Sequence, residues 1–194
     1  MKLVFASQNA NKAKEIQAVI PASIEVCTLI DLGITEDIPE TAATLEGNAV
    51  MKMEYLVEKL NLSCFADDTG LEIDALNGEP GVYSARYAGE QRNALDNMKL
   101  VLEKLSVESN RKARFRTVIA LWWEGKTHLF EGTVEGEITH EAIGDKGFGY
   151  DPIFRPIGAE KTFAEMSMEE KNNWSHRARA VKQLVDFLKK ATIK

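Results

Sequence analysis

The residues of this sequence best suited to chemistry begin with two adjacent aspartates. Asp67 and Asp68 follow apolar Cys64-Phe65-Ala66 and precede Thr69-Gly70. Carboxylates at strand ends and loop edges are common ligands of Mg²⁺, which takes oxygen donors and keeps several waters. Two unpaired carboxylates in one pocket raise each other's pKa unless a cation intervenes. This pair beside apolar residues, together with Glu40, therefore points to a metal. Adjacent side chains on a strand face opposite ways, so one of the two reaches a given site directly. Spacing does not choose between Asp67 and Asp68. The competing reading is a pair that caps a turn.

Three further segments carry polar chemistry. Ser7-Gln8-Asn9-Ala10-Asn11-Lys12 joins a strand to a helix. A helix start presents unpaired N–H groups and a partial positive charge to phosphate. Asn9 and Asn11 tolerate left-handed turns, and Lys12 adds a point charge; a plain polar turn with a solvated lysine is the alternative. Gly147-Phe148-Gly149-Tyr150-Asp151-Pro152 sets an aromatic between glycines, where backbone can approach a ligand and a ring can stack on a base. The alternative is a buried turn with core aromatics, in which Asp151 still needs a partner. Lys171 and Ser175-His176-Arg177 supply donors for carbonyl or phosphate oxygen. Cations at a helix start oppose its dipole by ~0.3–1 kcal/mol each, so Arg177 there hints at a task, against the alternative of a solvated arginine. Pro80–Tyr87, with tyrosines around Arg86, would shape a site or a subunit contact, and Arg114 and Arg116 read as a solvated strand face.

These segments must be positioned by an alternation of strands and helices. Lys2–Ser7 and Ile24–Leu29 read as strands, with a helix over Lys12–Ile20 that Pro21 stops. A long helix over Thr44–Leu60 places Leu45, Ala49, Met53, Leu56 and Leu60 at helical spacing. Ser63–Ala66 is a short buried strand that ends in Asp67–Gly70, and Leu71–Leu76 resumes as strand. Glu90–Leu105 reads as a helix. Ala113–Trp123 and Thr127–Val134 form a hairpin across Glu124-Gly125-Lys126. Ser167-Met168-Glu169-Glu170 fits a capping box and a short helix, followed by a C-terminal helix over Ser175–Lys190. The mixture predicts an α/β fold with a mixed sheet, in a single domain over residues 1–194.

Composition narrows the function classes. The 194 residues are 44% hydrophobic and 28% charged, with a net charge of −6. A coat for a nucleic-acid polymer needs a basic surplus, which is missing; a small anionic substrate needs only a local basic cluster. No apolar run reaches the ~20 residues of a membrane helix. The N-terminal segment is too short for a signal peptide, so the expected compartment is the cytoplasm. Cys27 and Cys64 read as buried thiols, and His128, His140 and His176 lack zinc spacing.

In order along the chain, six of these segments resemble the inosine triphosphate pyrophosphatase family, which hydrolyses noncanonical purine triphosphates. They are Ser7-x-Asn9-x-x-Lys12, Glu40-Thr41 with Asn48-Ala49-x-x-Lys52, Ala66-Asp67-Asp68-Thr69-Gly70-Leu71, Pro80-Gly81-Val82-Tyr83-Ser84-Ala85-Arg86-Tyr87, Gly147-Phe148-Gly149-Tyr150-Asp151-Pro152 and Ser175-His176-Arg177. The resemblance implies an elongated mixed α/β fold of two lobes around a central substrate cleft, as a homodimer. It implies cleavage of ITP, dITP or XTP to monophosphate and pyrophosphate with Mg²⁺. Glu40 and Asp68 match its metal ligands, and Asp68 its general base. Ser7, Gln8, Asn9, Ala10, Asn11, Lys12 and Lys52 match its triphosphate contacts. Thr69, Phe148, Gly149, Tyr150, Asp151, Lys171, His176 and Arg177 match its other substrate contacts. Gly47, Thr69 and Lys146 depart from the usual glutamate, serine and glycine. The other functions weighed are a pyrophosphatase for pyrimidine or other modified triphosphates and a nucleotide-binding regulator without chemistry.

Overall fold

The computed structural model describes residues 1–60 and 62–191. Strand β1 (Lys2–Phe5) is followed by helix α1 (Ala10–Val19), β2 (Glu25–Thr28), α2 (Leu45–Leu60) and β3 (Cys64–Ile73). Then come α3 (Ala94–Lys104), β4 (Lys112–Trp123), β5 (Lys126–Ile138), β6 (Phe154–Pro156), α4 (Met168–Trp174) and α5 (His176–Ala191). Short 3-10 turns occupy Asp74–Leu76, Gly81–Arg86 and Asp151–Ile153. The strands form one six-stranded sheet in the order β2-β1-β3-β4-β5-β6. β1 runs parallel to β2 and β3, whereas β5 and β6 are antiparallel. The expected mixed α/β sheet is therefore the fold observed. Among the described residues no helix is long and apolar enough to cross a membrane.

The chain forms two compact units, one of Met1–Asp68, Thr117–Gly132 and Arg177–Lys194, the other of Thr69–Arg116 and Thr133–His176. Each has its own apolar core. In the first, Leu3 and Phe5 of β1, Ile16 of α1, Phe65 of β3 and Ile119 and Leu121 of β4 pack against Val181, Leu184, Val185 and Leu188 of α5. The Phe5 and Phe65 rings stack at 4.9 Å, a consequence of the parallel register that sets Phe5 beside Phe65. In the second, Leu71 and Ile73 join Met98 and Val101 of α3, and Leu105 just after it, with Phe115, Phe154 and Phe163.

Several element boundaries differ from the sequence reading, and three of them bear on the segments singled out above. Asn9 caps α1 from an extended conformation, its side chain accepting the Asn11 and Lys12 N–H groups, so the helix starts at Ala10, not Lys12. Asn93 caps α3 in the same way, which moves that start from Glu90 to Ala94. The aspartate pair does not end a strand: β3 runs without a break through Asp67, Asp68 and Thr69 to Ile73. The capping box is present, with Ser167 and Glu170 exchanging side-chain and backbone bonds at the head of α4.

Gly47, the departure inside α2, answers to packing. A Cβ at this position would stand 2.6 Å from the Ala42 Cβ. The Ala42 N–H is bonded to Asn48 Oδ1 at 2.9 Å, which draws the segment after Glu40 onto the first turn of α2. Gly47→Ala will therefore destabilise the protein by about 1–3 kcal/mol through overpacking, despite ~1 kcal/mol of helix propensity gained. A urea melt in which the variant is more stable than wild type would contradict the close approach.

Candidate functional site

Asp67 and Asp68 enter opposite electrostatic environments from successive positions of one strand. Asp67 is buried and paired twice, with Lys12 Nζ at 3.0 Å and Arg177 Nε at 3.2 Å. Burial would raise its pKa; Lys12 and Arg177, with Lys52 behind them, more than reverse that and hold the carboxyl well below the usual carboxylate range. Asp68 receives Lys52 Nζ on one oxygen at 3.1 Å and Asn48 Nδ2 on the other at 3.1 Å. Its burial prevails over Lys52 and Lys12, with Glu40 adding to it, so its pKa is raised. Strand alternation, which left the choice within the pair open, thus separates a permanently ionised anchor from a carboxylate with raised proton affinity.

Glu40 and Lys52 complete this side. Lys52 Nζ also donates to Glu40 Oε1 at 2.6 Å, so the two expected metal ligands converge on one ammonium. Burial pulls the Lys52 pKa down, but Asp68, Glu40 and Asp67 together lift it above its ordinary value. Asn48 ties the arrangement together by binding both Asp68 and the backbone two residues after Glu40. Two hard carboxylates already sharing a cation suit Mg²⁺, which is commonly bound by one or two carboxylates plus waters and substrate phosphates. Among the described residues no group of three or more His, Cys, Asp and Glu forms a protein-only metal cage.

The Ser7–Lys12 segment lies in the same unit but is organised differently from the sequence expectation. Asn9 is not left-handed; φ is −79°, and its side chain takes up two N–H groups of the helix start. Its own N–H reaches Ser7 Oγ at 3.2 Å, and Gln8 Nε2 reaches the Glu36 carbonyl at 2.8 Å. Asn9, Ala10 and Asn11 are exposed, and Lys12 is half-buried against Asp67. Burial lowers the Lys12 pKa even though Asp67 opposes it.

Arg177 is not a solvated arginine. It is fully buried and joins Glu15 as well as Asp67. Burial would lower its pKa, and Glu15 and Asp67 raise it. Two carboxylates at the start of α5 offset the cost of a cation there, since anions are favoured at that end of a helix. Glu15 was missed in the sequence. Its one signal is an acid on the stripe of α1 that also carries buried Ala13 and Ile16.

The second unit holds the remaining expected residues. The partner that Asp151 needed is Lys171, at 2.5 Å with both side chains buried. Asp151 Oδ2 also accepts the Phe148 N–H at 2.8 Å. The Lys171 ammonium lies 5.1 Å from the Phe148 ring and 5.3 Å from that of Phe163. Gly147 has φ +73°, and its missing side chain leaves room for that of Asp151. Tyr150 is pinned by a 2.9 Å bond from its hydroxyl to the Ser84 carbonyl, which ties Gly149-Tyr150 to the Pro80–Tyr87 segment. His176 is buried and stacks on Phe115 at 4.6 Å. Thr69 continues β3 directly beyond Asp68. Lys146 is exposed and bonds to carbonyls of Ala164 and Glu165.

Removing one member of a buried ion pair leaves an uncompensated charge, typically at a cost of ~3–5 kcal/mol. Asp67→Asn is accordingly expected to lose about 3 kcal/mol in chemical unfolding, and Arg177→Met a similar amount. The double variant should lose less than the sum. Strict additivity in that cycle would mean that the two side chains are not coupled.

Comparisons with known proteins place the chain in a family. The Ham1 family pattern matches residues 3–187. A dITP/XTP pyrophosphatase of Flavobacterium johnsoniae is 58% identical, over 97% of this chain and 98% of that one. One from Porphyromonas gingivalis is 54% identical over 96% and 97%. The solved structure of the Staphylococcus aureus Ham1 protein superposes with a TM-score of 0.89 at 41% identity, covering 98% of this chain and 100% of that one. With its fold and nearly its full length matched, the chain belongs to the Ham1 family.

Proposed function

We propose that this protein hydrolyses noncanonical purine nucleoside triphosphates, ITP, dITP and XTP, to the monophosphate and pyrophosphate, and so removes them from the nucleotide pool. The observation that carries the reading is the arrangement around Asp67-Asp68, where Asp67 is locked between Lys12 and Arg177 while Asp68 and Glu40 converge on Lys52. The names of the relatives, dITP/XTP pyrophosphatase, support the substrate class and do not favour pyrimidine triphosphates. A binding-only regulator would have no use for a base held in this way.

Asp68 acts as the general base. It takes a proton from a water aimed at the α-phosphorus, while Asn48 fixes the orientation of the carboxylate. Glu40 and Asp68 would hold the Mg²⁺ ion, which would neutralise phosphate charge and orient the triphosphate. Lys12 and Lys52 supply positive charge to the phosphates, with Ser7, Gln8, Asn9, Ala10 and Asn11 as the polar bed around them. Asp67 keeps Lys12 and Arg177 in place and does no proton transfer. Attack by water needs no covalent intermediate.

Base and sugar contacts are assigned to Thr69, Phe148, Gly149, Tyr150, Asp151, Lys171, His176 and Arg177. Phe148 offers a ring for stacking, held by the Asp151–Lys171 pair. A donor facing the six-position oxygen would accept hypoxanthine or xanthine and oppose the adenine amino group; polar mismatches of this kind reach ~10⁴–10⁵ in discrimination. Assembly as a homodimer and a cytoplasmic location belong to the same reading.

The test is release of pyrophosphate from ITP, XTP, ATP, GTP and dTTP with Mg²⁺ present. ITP and XTP should be cleaved at least about a hundredfold faster than ATP, and Asp68→Asn should lose at least about a hundredfold in kcat. Equal rates on all five nucleotides would refute the substrate class. Full activity in Asp68→Asn would remove it as the base.

A further inference from the structure

Lys52 occupies the place that a cation between Glu40 and Asp68 would take. Its ammonium donates to Glu40 at 2.6 Å and to Asp68 at 3.1 Å, from a side chain that is 7% exposed. It projects from α2 one turn after Asn48, which holds the other Asp68 oxygen. One oxygen of each carboxylate is thus already engaged by an internal cation. With Lys52 in place the Glu40 and Asp68 carboxylates keep only a single net negative charge. A dication entering beside the ammonium would meet repulsion at contact range. Lys12 adds to it, since its charge is felt at both Lys52 and Asp68. A triphosphate changes the balance. Its oxygens give Lys52 a replacement partner, and its charge offsets both cations.

We propose that Lys52 is the resident counter-ion of the divalent-cation position, so that a divalent cation binds Glu40 and Asp68 only together with a triphosphate that takes over the ammonium. This rests on the assignment of Glu40 and Asp68 as metal ligands. Metal and nucleotide then enter as one complex, and the two carboxylates are compensated at every stage: by Lys52 in the free protein and by the ion in the complex. Lys52 has two successive partners, and neither site has to stand empty and charged.

The test is direct Mn²⁺ binding to the full chain without nucleotide, with free Mn²⁺ counted by electron paramagnetic resonance. Lys52→Met and Lys52→Gln should bind Mn²⁺ at least about tenfold more tightly than wild type, the smallest gain expected for removal of a competing unit charge at contact distance. Glu40→Gln added to either variant should abolish that gain. Suppose wild type binds Mn²⁺ with a non-hydrolysable α,β-imido analogue of ITP, but neither lysine variant gains affinity without it. Lys52 is then not the counter-ion, and the metal site stands. No Mn²⁺ binding by any form, with or without the analogue, overturns both. Wild type gives an independent readout if the variants do not fold. The Lys52 ammonium NMR signal should be unmoved by Mg²⁺ alone and should shift when Mg²⁺ and the analogue are added together; a shift with Mg²⁺ alone overturns the proposal.

Discussion

A carboxylate can be buried in the middle of a β-strand only if cations surround it, and Asp67 imposes that requirement on much of the first unit. Lys12 from α1 and Arg177 from the start of α5 both turn inward to it. Arg177 in turn needs Glu15, which places a second buried acid on α1. Two helices and a central strand are thereby fixed to one another by charge as well as by the Phe5, Phe65 and Leu184 core. Because Asp67 absorbs Lys12 and Arg177, Asp68 on the next position is left to Lys52 and Asn48. Burial then dominates there and raises its proton affinity. The chemistry assigned to Asp68 depends on the ion pairs of its neighbour.

A different economy governs the second unit. Asp151 satisfies a backbone N–H and an ammonium with one oxygen, and the ammonium lies against two aromatic rings. Each member of this group has its position set by another: Gly147 makes room for Asp151, Asp151 holds the Phe148 backbone, and Lys171 packs against the Phe148 ring. Tyr150 and Ser84 secure the far side of the same turn. This network limits the freedom of the Phe148 ring.

Much of this was legible in the sequence, and the remainder was hidden for definable reasons. Periodicity located α2 and α5 and their buried faces, because apolar spacing is a local signal. The capping box at Ser167 was readable for the same reason. The aspartate pair pointed to chemistry, but turn-forming residue types suggested a strand end, and β3 runs through them. Only partners distant in sequence make that possible: Lys12 is 55 residues from Asp67 and Arg177 is 110 away. Long-range pairing likewise hid Glu15 and the partner of Asp151. Asn9 caps α1 rather than turning left-handed, a choice its residue type leaves open because asparagine favours both. The reason for Gly47 in α2 is not visible in sequence, because the Ala42 side chain that packs against it lies outside the helix.

The division of labour between Asp67 and Asp68 is the centre of the account, and it can be observed without substrate. The measurement is an NMR titration of the aspartate side-chain carboxyl carbons in the metal-free protein. Asp68 should take up its proton at a higher pH than an ordinary aspartate, because burial outweighs its lysine partners. Asp67 should remain ionised well below that range, held by Lys12 and Arg177. Titration of both at ordinary aspartate values, or of Asp67 above Asp68, would contradict the assignment of anchor and base.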